Sequence, residues 1–160
     1  MASTLLHEHI VLRKLIWVGP LTIVCAAIAN LIICTIVVSI FGVPETFHYL
    51  QAPYVIGSTI IFVLVALLIL VLVNRFARRP IRFYRILALV VLCISFLGPV
   101  MALVGLFPAP GMTTSIFWTM IVMHIVSAII IVGLFTTLAL EQAEHLRRGK
   151  VMTFSEERKA

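Results

Sequence analysis

Aspartate is missing altogether, and the six acidic residues, all glutamates, lie outside every long apolar run. Without carboxylates in those runs, neither a paired-carboxylate acid–base site nor a Ser/His/acid arrangement at a shared depth is available, so we expect a non-enzymatic protein. Charge of either sign is scarce, at 11% of residues, against about 25% in ordinary soluble domains. The three cysteines, Cys25, Cys34 and Cys93, are each embedded in apolar sequence. That placement argues against a disulfide framework and against a zinc site with close-set ligands, and no metal site is expected.

What fills the chain instead is apolar residues: 62% of 160 positions, with a mean hydropathy of +1.21. They gather into four runs at about 15–41, 53–74, 83–106 and 115–140, each near or above the ~20 residues a helix needs to cross the hydrocarbon core. Valine and isoleucine are abundant in them and would favour strands in water, but a spanning segment in lipid must satisfy its own backbone, which a helix does. The fold expected is therefore all-α: a four-helix transmembrane bundle, up-down-up-down, forming a single domain over 1–160 with a polar tail at 141–160. Pro20 is read as lying in a first turn, where it costs no hydrogen bond, and Pro53 as a helix opener. Gly98-Pro99 in the third run predicts a kink, because Pro99 cannot donate to the Ser95 carbonyl. Ala27-Ile28-Ala29 imitates a signal-peptide cleavage site, but the apolar run continues to Phe41, so an uncleaved anchor is expected.

All twelve lysines and arginines fall before the first run, between the second and third or within the first turn of the third, or after the fourth. Arg75, Arg78, Arg79, Arg82 and Arg85 form the middle group, a basic loop, while the other two loops carry no basic residue. The positive-inside rule then puts both termini and the arginine loop in the cytoplasm. Basic residues confined to run ends are topology signals rather than a nucleic-acid surface, so the lipid bilayer is the expected partner, together with another membrane protein or a second copy. Aromatic residues fit the same frame: Trp17, Phe76, Phe83 and Tyr84 are expected at the inner interface, and Phe41, Phe47, Tyr49, Tyr54, Phe107, Phe117 and Trp118 at the outer one. His7-Glu8-His9 near the start lacks further ligands and is read as solvated.

Polar groups do occur inside the runs. Counted along a helix at about 1.5 Å per residue, Asn30 lies about 22 Å from Leu15, His124 about 24 Å from Leu140, and Ser95 and Pro99 about 18 and 24 Å from Phe83. Asn30, Ser95, Pro99 and His124 thus share one layer, and in such a bundle the first and fourth spans are neighbours, so Asn30 and His124 are expected within reach of each other. Thr22, Ala26, Asn30 and Cys34 recur every fourth residue as a small-and-polar stripe suited to close helix contact. His124, Ser127, Ala128 and Ile131 form one stripe, and Ala88, Leu92, Ser95, Pro99 and Ala102 another. An unpaired amide or imidazole in hydrocarbon costs several kcal/mol, so pairing or water is required. Three readings fit: a hydrogen-bond network that fixes packing, in an accessory or partner-binding subunit; a polar layer lining a cavity, in a small transporter or ligand-binding bundle; and a haem or chlorophyll-type pigment ligated by His124.

Several segments also carry a resemblance: Ala29-Asn30-Leu31-Ile32, Phe41-Gly42-Val43-Pro44, Leu50-Gln51-Ala52-Pro53, Arg78-Arg79-Pro80 with Phe83 and Arg85, then Ser95 and Met123-His124. Together, over about residues 13–140, they resemble a family of small four-span bacterial membrane proteins grouped as a domain of unknown function. The resemblance implies the four-helix architecture and a bacterial plasma (inner) membrane, and no activity. In that pattern a Pro-Asp pair often follows the serine of the third span, where this chain has Gly98-Pro99-Val100. The acid of a carboxylate–histidine site is therefore missing.

Overall fold

The structure, a computed structural model, describes residues 12–43, 47–77 and 80–138. Its helices are α1 (Leu12–Phe41), α2 (Ala52–Phe76), α3 (Pro80–Ser95), α4 (Leu97–Leu103) and α5 (Thr114–Leu138), with a 3-10 turn at His48–Leu50 between the first two. α3 and α4 together make one span, Pro80–Leu103, so four helical spans are long and apolar enough to cross a membrane. The His7-Glu8-His9 segment, Arg78, Arg79 and the tail from 139 lie outside the described residues.

Local chemistry sets the ends. Gly42 takes φ +60° and its N–H reaches the Val38 carbonyl at 3.1 Å, ending α1 in a single left-handed cap. At the end of α4, Gly105 takes φ +76°, with Leu106 N–H on the Met101 carbonyl and Gly105 N–H on that of Ala102, the paired bonds of a Schellman motif. Pro53 lies in the first turn of α2 and Pro80 opens α3, positions where a missing N–H is no loss. The Thr113 hydroxyl accepts the Ile116 N–H at 3.3 Å and so caps α5. Because α1 begins at Leu12, Pro20 lies more than two turns inside it, not in a first turn as its sequence position implied. There it removes the hydrogen bond to the Ile16 carbonyl.

The third span does break. The interruption is Phe96, whose dihedrals (φ −71°, ψ −18°) remain near-helical, so the chain loosens by one residue without reversing direction. Pro99, one turn further on, is the cause, having no N–H for the Ser95 carbonyl.

Packing shows the helices alternating in direction. One apolar cluster joins Leu15 and Val18 at the start of α1 to Val73 near the end of α2, Tyr84 near the start of α3 and Phe135 near the end of α5. A second joins Cys34 late in α1 to Phe47, Leu50, Val55 early in α2 and Ile116 early in α5. The first marks what we call the arginine end, the second the opposite, proline end. α1 packs chiefly on α5 and α2, whereas α4 lies on α3 and α5 with no substantial packing against α2. The stripe Thr22, Ala26, Asn30 and Cys34 is buried throughout. Buried hydroxyls need partners in an apolar medium, and the threonines find them at home: Thr22, Thr59, Thr119 and Thr136 each donate to the carbonyl four residues back at 2.7 Å.

Two aromatic residues depart from the interfacial positions their sequence context implied. Tyr84 and Phe47 are core residues, 1% and 2% exposed, while Trp17 (82%) and Phe76 (79%) are on the surface. Tyr84 follows the arginine loop in sequence, but the helical turn directs it against Phe135.

Candidate functional site

Between the two apolar clusters lies a polar waist. Its centre is Asn30 of α1, whose Nδ2 donates to Thr59 Oγ1 of α2 at 3.0 Å and to Ser127 Oγ of α5 at 2.9 Å. Ser127 Oγ donates in return to Asn30 Oδ1 at 3.2 Å, and Thr59 passes its own proton to the Val55 carbonyl. Both amide protons and the amide oxygen are used, and three helices are tied at one level.

Asn30 and His124 are not hydrogen-bonded to each other, which corrects the direct pair expected from depth alone. The reason is local. His124 Nδ1 sits 2.6 Å from the Met120 carbonyl of its own helix, and a carbonyl can only accept, so Nδ1 is the donor in that contact. Ser127, one turn along the same stripe, takes the amide instead. The His124 ring lies edge-to-face between Phe62 of α2 (centroids 6.0 Å) and Phe96 at the break (6.3 Å).

Beside the waist is a cavity of about 150 Å³ enclosed by α2, α3 and α5, with Asn30 of α1 at its back. Ser95 and His124 both line it, as the shared layer implied; the Ser95 hydroxyl donates within its own helix, to Leu92 at 2.7 Å. Pro99 is buried but does not line the cavity, and its part is the break that precedes it. Ala66, Ala88 and Ala128 supply the room, one alanine from each enclosing helix. Among the described residues no Lys, Arg or Glu side chain lines the cavity. Phe62 and Val65, which also line it, are exposed on the bundle surface, and α4 leaves α2 uncovered at this level, so the cavity opens sideways toward the bilayer.

The sequence reading missed Tyr84. The residue stands at the arginine end of the cavity, and its hydroxyl is buried with no hydrogen-bond partner among the described residues. A signal existed: Tyr84 extends the Ala88, Leu92, Ser95 stripe by one turn. Thr59 was not singled out either, although Val55, Thr59 and Val63 run at four-residue spacing and are all buried.

Of the basic loop, Arg75, Arg82 and Arg85 are all exposed, Arg75 with its guanidinium 6.0 Å from the Phe76 ring centre. Arg85, though exposed, also bonds to the bundle, Nη2 donating to Thr136 Oγ1 of α5 at 3.3 Å. Among the described residues no three His, Cys or acidic side chains are grouped to hold a metal ion. The space beside His124 matches a benzene-sized guest, and a tetrapyrrole ring would require the walls to part.

Fold and site together define a multi-pass membrane bundle with a laterally open, mainly apolar cavity at mid-span that carries a few polar side chains on its wall. Comparison with known families makes the assignment specific: the chain belongs to the family of unknown function DUF6069, which it matches over residues 11–140. No curated protein and no solved structure was found to match it.

Proposed function

We propose that this protein is a non-enzymatic ligand-binding bundle that takes a small, neutral molecule from the bilayer into the cavity beside His124. The observation that carries the reading is a mainly apolar cavity at mid-span with His124 on its wall, beside an Asn30 whose hydrogen bonds are taken up by Thr59 and Ser127. A residue needed only for packing would spend its hydrogen bonds on neighbouring helices, as Asn30 does. An ionisable side chain within a span, facing a cavity, is a functional candidate by default. In this reading both termini and the arginine loop lie in the cytoplasm, and the host membrane is a bacterial plasma membrane.

A second reading, an accessory subunit that binds another membrane protein or its own copy, has one observation in its favour. The Pro80–Leu103 span has only 6% of its most apolar window buried, against 17% to 22% for the other three.

Native mass measurement of protein extracted in mild detergent separates the two. Retained mass of small-molecule size, absent from a His124→Leu, Ala128→Leu variant that folds normally, supports the ligand-binding reading. A second polypeptide with no small molecule supports the subunit reading. A bare chain in both variants defeats the first.

A further inference from the structure

The outer corner of the bundle at its arginine end has features that the cavity does not use. Arg82 and Arg85 stand three positions apart on α3, which makes them neighbours on one helical face, and both are exposed. Like charges so placed repel each other, and a shared anion relieves the repulsion. Arg75, near the end of the adjoining α2, is exposed as well. Arg85 gives one nitrogen to Thr136, and a guanidinium has further N–H donors to offer. Among the described residues there is no carboxylate to answer these charges. The glutamates elsewhere in the chain are too few to do so: the sequence around the start of α1, the α2–α3 turn and the end of α5 holds all twelve lysines and arginines against five of the six glutamates.

Beyond Arg82 the same face of α3 turns apolar. Ile86, Leu89 and Cys93 follow Arg82 at helical spacing, forming one stripe. All three are exposed on the outside of the bundle, Ile86 by 56% and Leu89 by 62%. From Arg82 to Cys93 the helix rises about 16 Å, close to the ~15 Å depth of one hydrocarbon leaflet. A guanidinium pair at the head of an apolar strip one leaflet deep has the outline of a phospholipid, phosphate at the arginines and acyl chain along the strip. A soluble anion would use the arginines alone.

We propose that Arg82 and Arg85, with Arg75 beside them, hold the phosphate of an anionic phospholipid whose acyl chain lies along Ile86, Leu89 and Cys93. Arginine suits the task because its planar fork can meet two phosphate oxygens at once, and each basic side chain near the membrane surface adds to the attraction for anionic lipid. Nothing in this site draws on the cavity beside His124, so it and the ligand-binding reading stand or fall separately.

The test uses the full chain with Cys25→Ala and Cys34→Ala, labelled with bimane at Cys93 and placed in phosphatidylcholine nanodiscs that hold a minor fraction of a lipid brominated along its acyl chains. That lipid is either phosphatidylglycerol or phosphatidylcholine, and bromine quenches the dye only on contact. Brominated phosphatidylglycerol should quench as though enriched about fivefold for each arginine on its phosphate. Arg82→Gln should remove that arginine's share, about fivefold, and Arg82→Lys, which keeps the charge without the fork, should retain part of it. Arg13→Gln removes the same charge from the exposed start of α1, a helix with no substantial packing on α3, and should leave the preference unchanged. Should the labelled chain fail to fold, native mass measurement of the unlabelled protein reads the same preference, as phosphatidylglycerol retained over phosphatidylcholine in the parent and less so in Arg82→Gln. Equal quenching, or equal retention, by the two lipids overturns the site. Equal losses from Arg13→Gln and Arg82→Gln overturn it too, because they would mean attraction spread over the whole end of the bundle.

Discussion

Replacing Asn30 and Ser127 singly and together should expose the energy of the polar waist. Asn30→Leu keeps the volume of the side chain but removes its bonds to Thr59 and Ser127. Thr59 is not orphaned by this, since its proton already goes to Val55, and Ser127 can turn back to a carbonyl of its own helix as the buried threonines do. The loss should therefore be modest, about 1 kcal/mol for the reciprocal Asn30–Ser127 pair, within the ~0.6 to ~1.7 kcal/mol span of interhelical bonds in membranes. Asn30→Leu combined with Ser127→Ala should be less destabilising than the sum of the two singles by that amount. Asn30→Leu with His124→Leu, which share no hydrogen bond, should be additive to within about 0.5 kcal/mol. Reversible unfolding in mixed dodecyl maltoside and SDS micelles, followed by far-ultraviolet circular dichroism, supplies all the free energies. Strict additivity for Asn30 and Ser127, or stronger coupling of Asn30 to His124, would refute the geometry on which the waist rests.

Other outcomes follow from single features. Ligand-free Tyr84→Phe should be at least as stable as the parent in the same assay, and more stable by up to about 1 kcal/mol, because the variant deletes a buried donor that has no acceptor; a clear loss would mean the hydroxyl is already bonded. Gly105→Ala should destabilise by about 1–2 kcal/mol, since alanine resists the left-handed backbone there, whereas Gly133→Ala, inside α5 with open space around the added methyl, should be neutral or mildly stabilising. Equal effects at the two glycines would contradict the Schellman ending of α4. Reporter fusions should find Ala160 in the cytoplasm and an insertion near Glu45 outside it, and the opposite result would reverse the proposed orientation.

The frame was legible because lipid imposes a strong rule: uninterrupted apolar runs must be helices, and their lengths and charge-free interiors mark them out. Depth was legible too, since rise per residue is nearly constant, and it placed Asn30, Ser95 and His124 in one layer. Depth alone leaves rotation open. Whether Asn30 meets His124 or Ser127 depends on which way α5 is turned and on whether the imidazole already has a carbonyl of its own, and neither can be counted from sequence. Tyr84 was obscured by its neighbours: an aromatic residue beside an arginine loop resembles an interfacial anchor, and only the continuation of the Ala88 stripe distinguishes it. Phe47 was misplaced for the same reason, a loop residue near the membrane edge whose ring is covered by its own cluster.

The contrast between threonine and asparagine in the core bears on how the protein is made. A threonine that donates to its own helix arrives in the membrane already satisfied, so α2 carries little polar penalty whenever it inserts. The amide of Asn30 has no such recourse and waits on other helices. Thr59 can accept one of its protons as soon as α2 is in place, but Ser127, which completes the set, belongs to α5, synthesised after the other described helices. The first helix therefore stays incompletely satisfied until α5 docks, and a chain truncated before α5 should be the form that membrane quality control recognises.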